Sequence, residues 1–488
     1  MATPTTPPHN ASSLPLPQST PVKTGTSSLL PFTTTQKYHV ESRTALAEEV
    51  KKHLVGLMPP EEFLETFFPL DKISQETEAK VFKVGCYKDT VQAVKERSAY
   101  GPFVSPLNGR PQPALTIRLD FKIKTTETFM PGFSAVDSSN YPDRHQSSKF
   151  PFEVKPDVSV YAGCKPSYPT ESVSVEIFIE FKWNNADDPF CDDTRETFAR
   201  PSKNANDTLG QITSYAALHL AAQFRTHVYS ILIVRRLARI LRWDRSGTIV
   251  TEAFEYDQCP HLAEFFRRYS RAPDDMRGKD GTVSTPTYAE EYTARCALGL
   301  THKPDVPLHK LAVIPLDKDP LYFITPPPTP ALYAPPGRAT RGFKAYDIAT
   351  SQVVFLKDSW RIVLPGIKPE GLVYAKLNSA NVRWTPNCLA WGDILDPYHI
   401  TQTQNFTQAK WARTSNDASN NSPNKHQFLC HRHTRLVLNL IGSTLLEYQS
   451  SFEMVSAVRN GLIGEGSKAT AGPCDNNVTL FSPGRCLY

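Results

Sequence analysis

No Cys-x-x-Cys pair occurs in this 488-residue chain. Its nine cysteines are scattered from Cys86 to Cys486, a spacing that argues against a zinc site and against a disulfide scaffold. An apolar stretch long enough to span a bilayer is also missing; the longest runs are like Tyr229 to Val234. The N-terminus has no basic segment followed by an apolar one. Its first arginine is Arg43, unlike an Arg-rich transit peptide. Nor is there an excess of one charge: 54 basic and 49 acidic side chains leave +5, which selects no partner. These absences predict an intracellular protein, cytoplasmic or nuclear, with no membrane partner.

What is present suffices for two or three buried cores, with 40% hydrophobic and 10% aromatic residues. Residues 1–36 are rich in Ser, Thr and Pro and hold no acidic side chain, so a disordered tail is expected. Helical spacing runs from Thr44 through Leu54 and Leu57 to Pro59-Pro60, and a second helix is expected over Glu61 to Phe68. From Ala114 to Tyr256 the period shortens to two. Strands are predicted over Ala114–Ile123, Val158–Tyr161, Ser174–Trp183 and Val228–Val234, with a hairpin through Asp244-Arg245-Ser246-Gly247 and one helix over Gln211–Phe224. The expected fold class is therefore α/β followed by α+β. Residues 37–275 form the first domain, 276–310 a linker with a short helix near Tyr288–Leu298, 311–460 the second domain, and 461–488 an atypical tail.

Two constellations carry chemistry. In the first, Pro156-Asp157 leads into one strand and Glu180-Phe181-Lys182 closes another. Alternation places Glu180 and Lys182 on one face, where Asp157 joins them if the strands pair. Two carboxylates beside an ammonium are what Mg²⁺-assisted phosphodiester cleavage needs: a metal to activate water and a cation for developing charge. A common solvent-facing strand would show the same E-x-K pattern. The residues resemble the P-D…E-x-K signature of the restriction-endonuclease-like superfamily. Gln211 and Tyr215, one helical turn apart, resemble its Q-x-x-x-Y helix. That resemblance implies a nuclease-like fold and a metal site of Asp157 and Glu180, with Glu48, Glu49, Glu61 or Glu62 as possible further acids.

In the second, Gly337-Arg338-Ala339-Thr340-Arg341-Gly342 precedes a strand ending in Lys357, and Glu370 opens a helix. Phosphoryl transfer uses a backbone lid over the phosphates and a Lys held by a helix Glu. With Ala238 to Gly247, Leu356 to Arg361, Arg435 to Leu438 and Gly442 to Leu446, these segments resemble the fungal-type protein kinase family of basidiomycetes. The resemblance implies a protein-kinase-like N-lobe, a nucleotide site of Gly337, Gly342, Lys357 and Glu370, ATP and Mg²⁺ as cofactors, and a protein substrate or partner. Ala339 departs from the pattern where a middle glycine is usual. No His-Arg-Asp or Asp-Phe-Gly segment occurs, so the chain as given is expected to be C-terminally truncated and catalytically incomplete, able to bind ATP or partners but not to transfer phosphate. A metal-dependent nuclease and a non-enzymatic interaction module remain as alternatives.

Two further patterns are set aside at this level. Cys430, His431 and His433 lack further ligands at metal-binding spacing. Arg235, Arg236, Arg239, Arg242, Arg245, Arg267, Arg268 and Arg271 would suit a nucleic-acid groove under the nuclease alternative, or a charged sheet edge.

Overall fold

The computed structural model describes residues 38–70, 84–109, 128–144, 153–329, 334–383, 385–414 and 428–442, with short pieces between 450 and 486. The expected tail, the expected strand over Ala114–Ile123, Ser443 to Leu446 and most of 461–488 lie outside the described residues. So do 330–333 of the Pro-rich connection.

The chain builds two large sheets. In order, the elements of the first part are α1 (Tyr38–Lys51), β1 (Leu54–Met58), α2 (Pro60–Phe67), α3 (Lys88–Val91), α4 (Tyr100–Asn108), β2 (Phe133–Asp137), β3 (Val158–Ala162), β4 (Val175–Lys182), α5 (Lys203–Ala222), β5 (Val228–Val234), β6 (Leu237–Trp243), β7 (Thr248–Thr251), β8 (Phe254–Glu255) and α6 (His261–Arg271). Strands β2, β3 and β4 form an antiparallel meander. Helix α5 then crosses over and returns the chain as β5, parallel to β4. The expected hairpin joins β6 to β7.

Both faces of this sheet are covered. Ile177, Ile179, Phe181, Tyr229, Ile231 and Ile233 pack with Phe63, Phe103 and Phe265 of α2, α4 and α6. On the other face Leu232 and Trp243 meet Ala47 and Val50 of α1 and Leu209, Ile212 and Leu220 of α5. This explains why strands β4 and β5 are buried along nearly their whole length. Helices α1 and α5 touch where Gly210 has no side chain: a Cβ there would lie 2.5 Å from the carbonyl oxygen of Arg43.

One expected element differs. Leu54 and Leu57 continue the helical spacing of α1, yet Leu54–Met58 is a strand, because the helix ends at Lys51 and β1 pairs parallel with β7. Partnership in the sheet overrides local periodicity.

The second part adds β9 (Val283–Ser284), α7 (Tyr288–Leu298), β10 (His309–Val313), β11 (Leu321–Thr325), β12 (Arg341–Asp347), β13 (Val353–Ile362), α8 (Glu370–Ser379), β14 (Cys388–Asp393), β15 (Arg413–Thr414) and β16 (His431–Leu438). Seven strands form an antiparallel sheet in the order β14-β16-β13-β12-β11-β10-β9. Helix α7 spans the predicted residues and carries a capping box between Thr287 and Glu290. Residues 311–460 do not stay on one sheet: between β14 and β16 the chain visits the first sheet, where β15 pairs antiparallel with β1. The two parts are further joined by the hairpin turn. The Arg245 guanidinium donates to the carbonyl of Pro335, and the Arg245 carbonyl accepts from Gly337.

Candidate functional site

In the second sheet Lys357 lies in the middle of β13, in register with Gly342 of β12 on one side and Leu436 of β16 on the other. Helix α8 begins at Glu370, directly after Pro369, so its first residue presents a carboxylate at the positive end of the helix. The Lys357 ammonium sits 2.8 Å from each oxygen of that carboxylate. Arg338 places a second cation 3.8 Å from the same group. Two cations share one carboxylate, which leaves this locus with surplus positive charge. The seat of α8 is fixed by Gly371: a Cβ there would fall 1.9 Å from the indole of Trp391.

The two glycines occupy different settings. Gly342 is inside β12, opposite Lys357. Gly337 has a φ of 118°, a region that favours glycine, and its N–H is given to Arg245 rather than left pointing into open space.

In the first part, Asp157 stands immediately before β3, and Glu180 and Lys182 close β4. The three meet. Lys182 bonds Glu180 Oε1, and Asp157 Oδ2 accepts the N–H of Phe181 at 2.8 Å. Tyr100, the first residue of α4, puts its hydroxyl 2.7 Å from Asp157 Oδ1 and 3.0 Å from Glu96 Oε1. Tyr215 donates to the carbonyl of Lys155 at 2.9 Å and is met by the Gln211 amide at 2.7 Å, so this pair braces the entry to β3.

Glu180 is 3% exposed, and its Oε2 has no hydrogen-bond partner. Burial, aided by the charge of Asp157, pushes its carboxyl up to about 8. Asp157 and Glu96 are also raised, both chiefly by burial. Burial pulls Lys182 down, but Glu180 and Asp157 outweigh it and hold its ammonium above the ordinary range. Three carboxyl groups thus face one ammonium, whereas around Lys357 two cations face one carboxylate.

The family model described as fungal protein kinase matches residues 194–467, more than half of the chain. The chain belongs to the fungal protein kinase family. Its function at that level is kinase-like, and the matched span takes in α5 and β5 to β8 of the first sheet together with the second sheet. No curated protein and no solved structure matches it. Among the described residues no helix is long and apolar enough to cross a membrane.

Within this fungal protein kinase family member several expectations change. Glu180 is interior, not part of a solvent-facing strand, because α5 covers that face of β4. The further acid near Asp157 is Glu96, not Glu48, Glu49, Glu61 or Glu62. It lies in a short turn before α4, a position that helix periodicity gives no means to select.

The arginines do not form a groove. Arg239 is buried against Asp188 and Asp192, Arg242 pairs with Asp244 at 2.8 Å, and Arg268 bonds Glu65 at 2.7 Å; Arg235 and Arg236 are exposed. Arg239 and Arg242 among the apolar residues of β6 read as a charged surface only while their acids are unknown: Asp188 and Asp192, distant in sequence, for Arg239, and Asp244 in the following turn for Arg242.

His433 has partners that sequence spacing cannot reveal. Its Nε2 contacts Asp358 Oδ1 at 2.5 Å, its Nδ1 faces His399 Nδ1 at 2.9 Å, and Arg435 bridges Asp358 and Asp280. Asp280, His399 and His433 lie close enough together to hold a metal ion. However, the Arg435 guanidinium already stands 2.6 Å from Asp280 Oδ2 and supplies the positive charge. Despite burial, Arg435 and the two histidines hold Asp280 down to about 2, while burial pushes His399 down to about 4. We read this ring as a buried tie between the start of the second part and strands β13 and β16.

Proposed function

We propose that the Lys357–Glu370 pair anchors the phosphates of ATP. The observation that carries this reading is the ammonium held 2.8 Å from both carboxylate oxygens on two rigid elements, with Arg338 adding net positive charge. A magnesium-bound nucleotide would supply the transferable phosphoryl group, and the family's acceptor is a protein. Glu370 orients Lys357, Lys357 and Arg338 receive the α- and β-phosphate charge, and Gly342 leaves room beside the ammonium by carrying no side chain. Titration with Mg·ATP tests it: Lys357→Met is expected to weaken binding at least about tenfold. Unchanged binding by that variant would overturn it.

A second reading is supported by the buried, unpartnered Glu180 Oε2. We infer that Asp157 and Glu180 can take a divalent cation, with Lys182 beside them, in a site suited to phosphodiester hydrolysis. A bound cation would supply an activated water. Asp157 and Glu180 would hold it, Lys182 would balance charge on the phosphate, and Gln211 with Tyr215 would keep Asp157 in place. Mn²⁺-dependent cleavage of DNA, RNA or a nitrophenyl phosphodiester that is lost in Glu180→Ala would support it; equal cleavage by that variant would sink it.

A further inference from the structure

In this arrangement each oxygen of Asp157 already accepts one hydrogen bond. Oδ2 takes the Phe181 N–H, and Oδ1 takes the hydroxyl of Tyr100. Glu180 has one oxygen on Lys182, and its Oε2 meets no N–H or O–H donor of another residue while the Asp157 carboxyl lies within hydrogen-bonding reach of Glu180. A hard divalent cation needs several oxygen ligands and uses one or two carboxylates with waters. With the phenol in place its approach to Asp157 Oδ1 and Glu96 Oε1 is obstructed.

Tyr100 is held there by packing and by charge. Its ring is 3% exposed and lies edge-on to Phe181 at 5.2 Å between centroids. Its hydroxyl has a single hydrogen, yet it contacts carboxylates of both Asp157 and Glu96. The phenol therefore satisfies one acid at a time and leaves the pair short of positive charge, a deficit that a divalent cation would remove. Placement favours release. Tyr100 opens α4 behind the short turn Glu96–Ser98, and Ala99 at the helix start offers no side-chain cap, so the residue sits where a helix is held least firmly.

We propose that Tyr100 plugs the Asp157–Glu180 site, that a divalent cation binds as the phenol leaves Asp157, and that Glu96 then joins as a third carboxylate. This inference rests on the second reading above and concerns how that site is kept shut. Displacement frees Asp157 Oδ1 and Glu96 Oε1 in one movement, and the cation replaces a single shared hydrogen between them.

Calorimetric titration of the full chain with Mn²⁺ tests this in wild type, Tyr100→Phe, Asp157→Asn and the double variant. Removing one charge-assisted hydrogen bond that competes with the cation should tighten Mn²⁺ binding about tenfold in Tyr100→Phe. Asp157→Asn should abolish binding in both backgrounds. As a second readout, Mn²⁺ should produce a tyrosine difference absorbance in wild type that is missing from Tyr100→Phe. Should Tyr100→Phe prove misfolded by circular dichroism, Glu96→Gln gives an independent arm, expected to weaken Mn²⁺ binding if Glu96 is a ligand. Asp157-dependent binding in wild type that Tyr100→Phe leaves equal or weaker overturns the plug while sparing the cation site. Absence of Mn²⁺ heat in every variant overturns the plug and the second reading together.

Discussion

Two lysine–glutamate pairs, each with its lysine in a different sheet, look alike as pairs and differ in what surrounds them. Lys357 and Glu370 are joined by a second cation, Arg338, so the locus carries surplus positive charge and suits an anionic phosphate. Lys182 and Glu180 are joined by two more acids, Asp157 and Glu96, so carboxyl groups outnumber the ammonium and the locus suits a cation that displaces their protons. The lesson is that an ion pair has no function by itself. Its third and fourth neighbours decide which ligand it can attract.

The strongest way to break the comparison is to remove each lysine. Lys182→Met leaves buried carboxylates without a counter-charge and is expected to cost roughly 3–5 kcal/mol of stability at pH 8, with partial recovery in acid as the carboxyls take protons. Lys357→Met leaves Glu370 with Arg338 nearby and should cost clearly less. Urea unfolding of both variants at pH 5 and pH 8 gives the answer; equal losses would mean that the surrounding charges do not matter.

The next largest effect concerns pH. Glu180 titrates near 8 in the folded chain against 4.5 for an ordinary glutamate. Between those values the folded protein keeps a proton that the unfolded chain has lost. Stability therefore falls as pH rises through this window and levels off above it. Glu180→Gln should remove the slope and stabilise the protein at pH 8 by roughly 2–4 kcal/mol. Melting curves across pH 5 to 9 check this, and an unchanged slope in the variant would show that Glu180 is not its source.

A smaller effect is expected at the seat of α8. Gly371→Ala drives a methyl into Trp391 and should cost about 1–3 kcal/mol, while tilting Glu370 away from Lys357 and weakening ATP binding. Combining it with Trp391→Leu should restore both; failure of the pair to recover binding would detach helix position from the nucleotide site. The smallest is Arg338→Met. Its contact with Glu370 is long, so stability should change by only about 0.2–1 kcal/mol, and the main readout is a modest loss of ATP affinity.

Much of the fold was legible in the sequence where the pattern was local. The period-two run at Val228–Val234, the turn residues Asp244 to Gly247, and the capped helix Tyr288–Leu298 all have the elements their spacing predicts. Strand Leu54–Met58 was not legible, because its partner β7 lies almost 200 residues away and its leucines also fit a helix. In the sequence Arg267, Arg268 and Arg271 read as a charged edge or groove; in the fold they belong to helix α6, where Arg267 and Arg268 are buried and Arg268 meets Glu65 of α2. The candidate sites divide in the same way. Lys357 and Glu370, or Glu180 and Lys182, are close enough in sequence for spacing to suggest a pair. Glu96, Tyr100 and Arg338 are brought to them by loops whose path no periodicity predicts.

What the sequence determined by itself is the set of chemical groups, their order, and the alternation that places Glu180 with Lys182 on one face of a strand. It also determined the family, through motifs spread over residues 194–467. Tertiary structure alone decided which charges surround each pair, the burial that lifts Glu180 to about 8, and the hydrogen bond from Tyr100 to Asp157. The physical reason is that desolvation and Coulomb energy depend on every neighbour within a few ångströms, and those neighbours come from distant parts of the chain.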